Sequence, residues 1–207
     1  MSNKDFLEKL LNKIENQQDE IKKIALKNAN YVYHIKSKDF KGDKIYSLNK
    51  MKDINNEIYK KSLKKYKNRM DELKCHIDML DCTWADCVNL STVNPIKILT
   101  LLHLIGADGW EDDIGKEVYQ IPIKNLKNSD CCIFDDNIPE NKKEAYSKFF
   151  ESKYKESKFI PHEAVTYFAE CVKDKESPLI FGFVNHVLVK DEISLVGAKI
   201  LKFDPKF

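Results

Sequence analysis

Arginine is nearly absent from this chain: Arg69 stands alone among 35 Lys and Arg residues, and every other basic side chain is a lysine. Guanidinium is the group that grips phosphate, carboxylate and guanine edges through two parallel hydrogen bonds, so a mechanism needing two arginines is excluded and sequence-specific DNA reading is not expected. Glycine is also scarce, at six residues. No glycine-rich phosphate loop, Gly-x-Ser-x-Gly elbow or Walker-type lysine can be found, which removes the commonest nucleotide cradles and the hydrolase elbow. The longest apolar-rich stretch, Ile96 to Ile105, is interrupted by Lys97, Thr100 and His103, far from the roughly 20 apolar residues of a membrane-spanning helix. A charged start, Met1-Ser2-Asn3-Lys4-Asp5, lacks the apolar core of a secretion signal, so a cytoplasmic location is expected.

Histidine and cysteine are present without the spacing that metals require. The five histidines form no His-x-x-x-His pair. Cys75, Cys82, Cys87, Cys131, Cys132 and Cys171 lack repeated pairs two to four residues apart. No metal site is expected, and free thiols are a better reading than a disulfide framework in a chain long enough to build a core without staples.

What the chain does have is 43% hydrophobic and 11% aromatic residues, enough large buried groups for one sizeable core. Charge is uneven: residues 1 to 74 carry 19 Lys and Arg against 11 Asp and Glu, and the remainder 16 against 22. The signs are interleaved rather than blocked, which reads first as a solvated surface.

Residues 3 to 28 place Phe6, Leu7, Leu10, Leu11, Ile14, Ile21, Ile24 and Ala25 at helical spacing, so an amphipathic N-terminal arm over 1 to 28 precedes an α+β domain over 29 to 207. This arm is also a candidate surface for a homodimer or a protein partner. Strands are predicted near 31 to 37, 44 to 48, 87 to 91, 117 to 123, 130 to 134 and 198 to 203, with a long apolar extended run over 179 to 190 kinked at Gly182 and Asn185. Helices are predicted at 50 to 74 (one or two), from Asn94-Pro95 to Gly106, at 140 to 156, and from Pro161 to before Pro178. Helices and strands are intermixed without a βαβ alternation, which argues for an α+β class.

Asp78, Asp81 and Asp86 around Trp84 lack the spacing of a catalytic pair and read as a solvated loop. Two histidines lie inside strands, His34 in Tyr31-Val-Tyr-His-Ile35 and His186 in Phe183-Val-Asn-His-Val-Leu-Val189. The second segment, with Ala198-Lys-Ile-Leu-Lys-Phe203 after it, resembles the closing strands of poly-ADP-ribose-polymerase-type ADP-ribosyltransferases. In that family a histidine after an aromatic residue on the first strand, like Tyr33-His34, holds NAD, and a middle strand leads through a serine into a helix, like Val88-Asn-Leu-Ser91 before Asn94-Pro95. Two positions depart from the family: Ile35 stands where a glycine follows the histidine, and His186 stands at the catalytic glutamate, which leaves mono-ADP-ribosyl transfer, an altered NAD chemistry or loss of catalysis in place of the polymerase reaction. The arginine shortage counts against the tRNA 2′-phosphotransferase branch of the same fold.

The resemblance implies a split β-sheet core binding NAD, with His34 and His186 as catalytic residues and Tyr33, His34, Tyr46, Trp84, Ser91 and Asn185 around the cofactor. Aromatic faces would hold the rings, and placed donors would steady an oxocarbenium-like sugar during transfer of ADP-ribose to a macromolecule, as in a toxin, effector or defence protein. His186 would act as a general base toward the acceptor. Two other classes stay open: a non-catalytic interaction module acting through the N-terminal helix, and a lysine-mediated nucleic-acid binder.

Overall fold

The computed structural model describes residues 31–38, 40–107, 117–127, 130–150 and 159–204. The N-terminal arm expected over 3 to 28, and with it the proposed dimer surface, lies outside the described residues.

The framework is one antiparallel sheet of seven strands in the order β11-β6-β1-β5-β9-β7-β8. These are Tyr31–Ile35 (β1), Cys87–Ser91 (β5), Glu117–Pro122 (β6), Cys131–Phe134 (β7), Tyr146–Lys148 (β8), His186–Lys190 (β9) and Lys199–Lys202 (β11). Lys44–Tyr46 (β2) pairs with Glu192–Ser194 (β10) as a small second sheet, and His76–Ile77 (β3) pairs with Cys82–Thr83 (β4) as a third. With four helices beside these strands among the described residues, the class is α+β.

Side chains alternate along each strand, so the registers sort residues onto two faces. Tyr33 stands opposite Ser91 and Ser91 opposite His186, which itself faces Phe134 on β7. These four form a row on one face. On the other face Val32, Val88, Leu90, Ile121, Ile133, Val187 and Val189 pack with Ile45 and Ile193 of the small sheet and with Phe149. Burial on both sides explains why β7 and β9 read as nearly continuous apolar runs.

Helix ends follow their capping chemistry. Leu48–Ile54 (α1) starts at Ser47, whose Oγ accepts from Lys50 N at 3.4 Å, and Asn56–Lys64 (α2) starts at Asn55, whose Oδ1 accepts from Ile58 N at 3.1 Å. Pro95–Ile105 (α3) begins behind Asn94, whose Oδ1 accepts from Ile96 N, and stops at Gly106 with φ 72°. His162–Asp174 (α4) follows Pro161 and ends at Lys175, also left-handed. Ile98, Leu99 and Leu102 of α3 pack on Ala164, Val165 and Phe168 of α4 in a core of their own.

Two expectations are corrected. The helix predicted over 140 to 156 is absent from its described part: Lys143–Ala145 forms a single 3-10 turn and the chain continues as β8 on the edge of the sheet. The open main chain of β7 offers hydrogen-bond partners, Asp135 N donates to Ala145 O at 2.8 Å, and the apolar side chains of Ala145 and Phe149 are buried. Tertiary pairing has outweighed the helical propensity of a lysine- and glutamate-rich stretch. The run from 179 to 190 is extended only from His186; before it, Leu179 O and Phe181 O accept from Gly182 N and Val184 N in consecutive turns, with Phe183 at φ 60°.

Candidate functional site

β1 is in register with β6 along all five of its residues but shares a single register pair, Tyr33 with Ser91, with β5. Beyond that pair the two strands part, and a cleft of about 610 Å³ opens between the end of β1, the start of β5 and the helices α1 and α2. His34 stands at the point of divergence. Its Nδ1 lies 3.0 Å from the main-chain oxygen of Asn89. A carbonyl only accepts, so Nδ1 carries the proton and donates, and Nε2 is left as an acceptor. The imidazole thus serves the carbonyl that a continued ladder would have paired with main chain of β1. Burial, with a smaller contribution from Lys65 and against the help of the Asn89 bond, pushes the pKa of His34 down to about 4, so the ring is neutral at pH 7.

Across the cleft, the Asn89 side chain donates from Nδ2 to Tyr66 Oη at 3.4 Å, while its Oδ1 is buried with no partner. Tyr46, Tyr66 and Tyr119 line the walls, with Ile45, Met51 and Ile58 beneath them. The rim is basic: Lys36, Lys38, Lys61, Lys64 and Lys65 all line it, and no described lining residue is acidic. Lys36 is neutralised, its Nζ 2.7 Å from Glu117 Oε2. Lys38, Lys64 and Lys65 are exposed and make no ion pair among the described residues.

The residues singled out in the sequence are therefore divided. His34 and Tyr46 line the cleft; Tyr33, Trp84, Ser91, Asn185 and His186 do not. The strands bearing His34, Ser91 and His186 are neighbours, but alternation puts His34 on the face opposite the Tyr33, Ser91 and His186 row, so the two imidazoles do not share a hollow. Ser91 uses its hydroxyl locally, donating to Val93 O at 2.8 Å and accepting from Val93 N at 3.0 Å. Tyr33 is buried and bonded to Gln120, with burial raising its pKa. Asn185 is half-buried, and its main-chain oxygen accepts from Thr92 Oγ1 at 3.5 Å.

His186 sits among the rings of Phe134, Phe181 and Trp84, at centroid distances of 5.9, 6.2 and 6.3 Å. Burial first, then the positive Arg69, lowers its pKa to about 4. Its Nε2 is 4.0 Å from Asp136 Oδ1, too long for a hydrogen bond. Asp136 accepts instead from Phe183 N at 2.6 Å through Oδ2, and desolvation raises its pKa to about 6. Trp84 belongs to the core, 7% exposed, with its Nε1 buried and unpartnered.

Sequence reasoning passed over Asn89 and the lysines of α2. A signal existed for both: Asn89 is a lone amide between the apolar Val88 and Leu90, and Lys61, Lys64 and Lys65 fall at the three- and four-residue spacing that gathers side chains on one helical face. Nothing local marks Asp136, which reaches His186 only through strand pairing. Comparison of the chain with known protein families, with curated proteins and with solved structures finds no match.

Proposed function

We propose that this chain binds a phosphate-bearing nucleotide in the cleft between β1 and β5, with NAD the first candidate. The observation that carries the reading is the conjunction of a ligand-sized hollow, a rim of five lysines with no described carboxylate, and tyrosine faces on its walls. Pockets for small molecules and cofactors typically enclose about 300–1,000 Å³ and combine apolar walls with a few placed polar groups. Lysine ammoniums are point charges suited to a diphosphate, and they need no guanidinium fork. Tyr46, Tyr66 and Tyr119 offer faces to planar rings. His34 Nε2 is an acceptor for a ribose hydroxyl or a carboxamide N–H.

The proposal stops at binding. Transfer of ADP-ribose develops positive charge on the sugar, which a nearby carboxylate would stabilise, and the described lining holds none. His186 is on the other face of the sheet and contributes no base to this cleft.

Calorimetric titration of NAD, ADP, adenosine and inorganic pyrophosphate into the full chain tests the reading. Saturable binding of NAD and ADP, weaker for adenosine and lost in a His34→Ala, Lys65→Glu variant that remains folded, is the expected result. Absence of saturation by all four would overturn it. Steeply salt-dependent affinity for RNA without any for NAD or ADP would instead assign the lysines to a polyanion surface.

A further inference from the structure

We infer that Cys82 and Cys87 form a thiol–disulfide pair, closed by a hydroperoxide and reopened by a thiol reductant. Cys82 opens β4 and Cys87 opens β5, and the two sulfurs lie 3.6 Å apart. Between them runs Thr83 and the 3-10 turn Trp84–Asp86, drawn tight by the Asp86 carboxylate, whose Oδ2 accepts from Thr83 N at 2.9 Å and from Thr83 Oγ1 at 2.6 Å. The clamp holds the turn between the two cysteines, and bond formation needs the sulfurs to close from 3.6 Å to about 2.05 Å.

The surroundings separate this pair from the other thiols. Lys190 is the cross-strand partner of Cys87, and its Nζ is held by Leu80 O at 3.0 Å and Asp81 O at 3.1 Å, placing a fixed positive charge beside Cys82. The contact with the Cys87 sulfur lowers the pKa of Cys82; burial opposes this and Lys190 adds to it. Cys87 moves upward in turn, so Cys82 is the attacking group and Cys87 the resolving one. Burial pushes Cys131 and Cys132 up to about 12 and raises Cys75, whose Sγ is bound to Glu140 O. Cys82 itself is 8% exposed and does not line the cleft; a small oxidant reaches it past Cys87, which does line it and whose sulfur is 3.6 Å away.

The chemistry balances without a cofactor. The Cys82 thiolate attacks one peroxide oxygen, the O–O bond breaks, and a sulfenic acid forms with release of one water or alcohol. Cys87 sulfur then attacks the sulfenic sulfur, expelling a second water as its proton departs. Two thiols are oxidised by two electrons and one peroxide is reduced.

This inference does not depend on the ligand reading, since its readout is the state of the sulfurs. Reduced full-length protein is treated with hydrogen peroxide, alkylated after unfolding and digested with chymotrypsin, which cuts after Trp84 and so separates the two cysteines. Expected are a loss of two alkylatable thiols, a linked peptide pair containing Cys82 and Cys87, and full recovery of both thiols with dithiothreitol. In Cys87→Ser, Cys82 should instead be trapped by dimedone as the sulfenic acid. Retention of every thiol in the wild type, oxidation of Cys82 to sulfinic acid without a link, or a link joining other cysteines would each overturn the assignment. The wild-type peptide map decides even where the variant does not fold.

Discussion

His34 reaches across from β1 so that its Nδ1 lies 3.0 Å from the main-chain oxygen of Asn89 on β5, at the position where the ladder between those strands ceases. A side chain takes over from main chain, and the strands are free to part without leaving a carbonyl orphaned. His34→Ala removes the donor and leaves that carbonyl unserved. We expect a loss of about 1–3 kcal/mol, read as a lower midpoint of urea unfolding with an unchanged slope. His34→Gln, which retains a donor, should recover part of it.

Acid should unfold the protein through its histidines. His34 and His186 are both held near 4, below their ordinary value of 6.5, so the unfolded chain binds protons that the folded one refuses. Their contribution is complete above pH 6.5 and is lost as pH falls toward 4. Asp136, raised from 3.8 to about 6, works in the opposite sense, because its folded form takes up a proton first. Two groups outweigh one. A net fall of about 2 kcal/mol between pH 7 and pH 5 is expected, measured as stability against pH. The slope should be shallower in His186→Gln and steeper in Asp136→Asn.

Much of the frame was legible in the sequence because it rests on local chemistry. Asn94-Pro95 and Gly106 delimit α3 as their capping roles require, and the β-branched and aromatic runs at Tyr31–Ile35 and Cys87–Ser91 are strands. What depends on distant partners was not legible. Tyr146–Lys148 joins the sheet because β7 leaves an edge to fill, a fact no window of sequence contains. The candidate site shows the same division: His34 and Tyr46 could be picked out as polar or aromatic residues in strands, whereas the opposition of His34 and His186 follows from a register that only pairing determines.

Gly182 is needed for space. A Cβ there would meet Tyr167 Cε1 at 2.9 Å and the main-chain oxygen of Leu179 at 3.2 Å. The tyrosine is not free to swing aside, since its hydroxyl accepts from Leu179 N at 2.9 Å. Gly182→Ala should therefore cost about 1–3 kcal/mol through overpacking, visible as a lower melting temperature, and adding Tyr167→Ala should relieve the clash so that the two effects are not additive.

Trp84 presents an opposing balance. Its indole packs edge-on against Phe134 at 5.0 Å, but its Nε1 is buried without an acceptor. Trp84→Phe loses packing area while removing an unsatisfied donor worth about 1–3 kcal/mol. The two terms nearly cancel, so stability should change by less than about 1 kcal/mol, whereas Trp84→Ala should lose about 3–5 kcal/mol. Equal losses for both substitutions in chemical denaturation would show that the indole nitrogen is satisfied in solution.

The cleft lysines differ in what they are free to do. Lys36 is committed to Glu117, which also receives Lys202 at 3.5 Å. Lys64 and Lys65, at the end of α2, carry exposed charge over a rim without a described carboxylate. A phosphate entering there meets Lys64 and Lys65, which make no ion pair among the described residues, but gains little from Lys36. Reversal of either, Lys64→Glu or Lys65→Glu, should weaken ADP binding by about tenfold, or about 1.4 kcal/mol, and flatten its dependence on salt. Lys36→Ala should leave affinity within about threefold, since the charge it removes is already committed to Glu117. Parallel calorimetric titrations at two salt concentrations compare the three variants, and equal losses for all three would show that the cleft senses total charge rather than the particular ammoniums of Lys64 and Lys65.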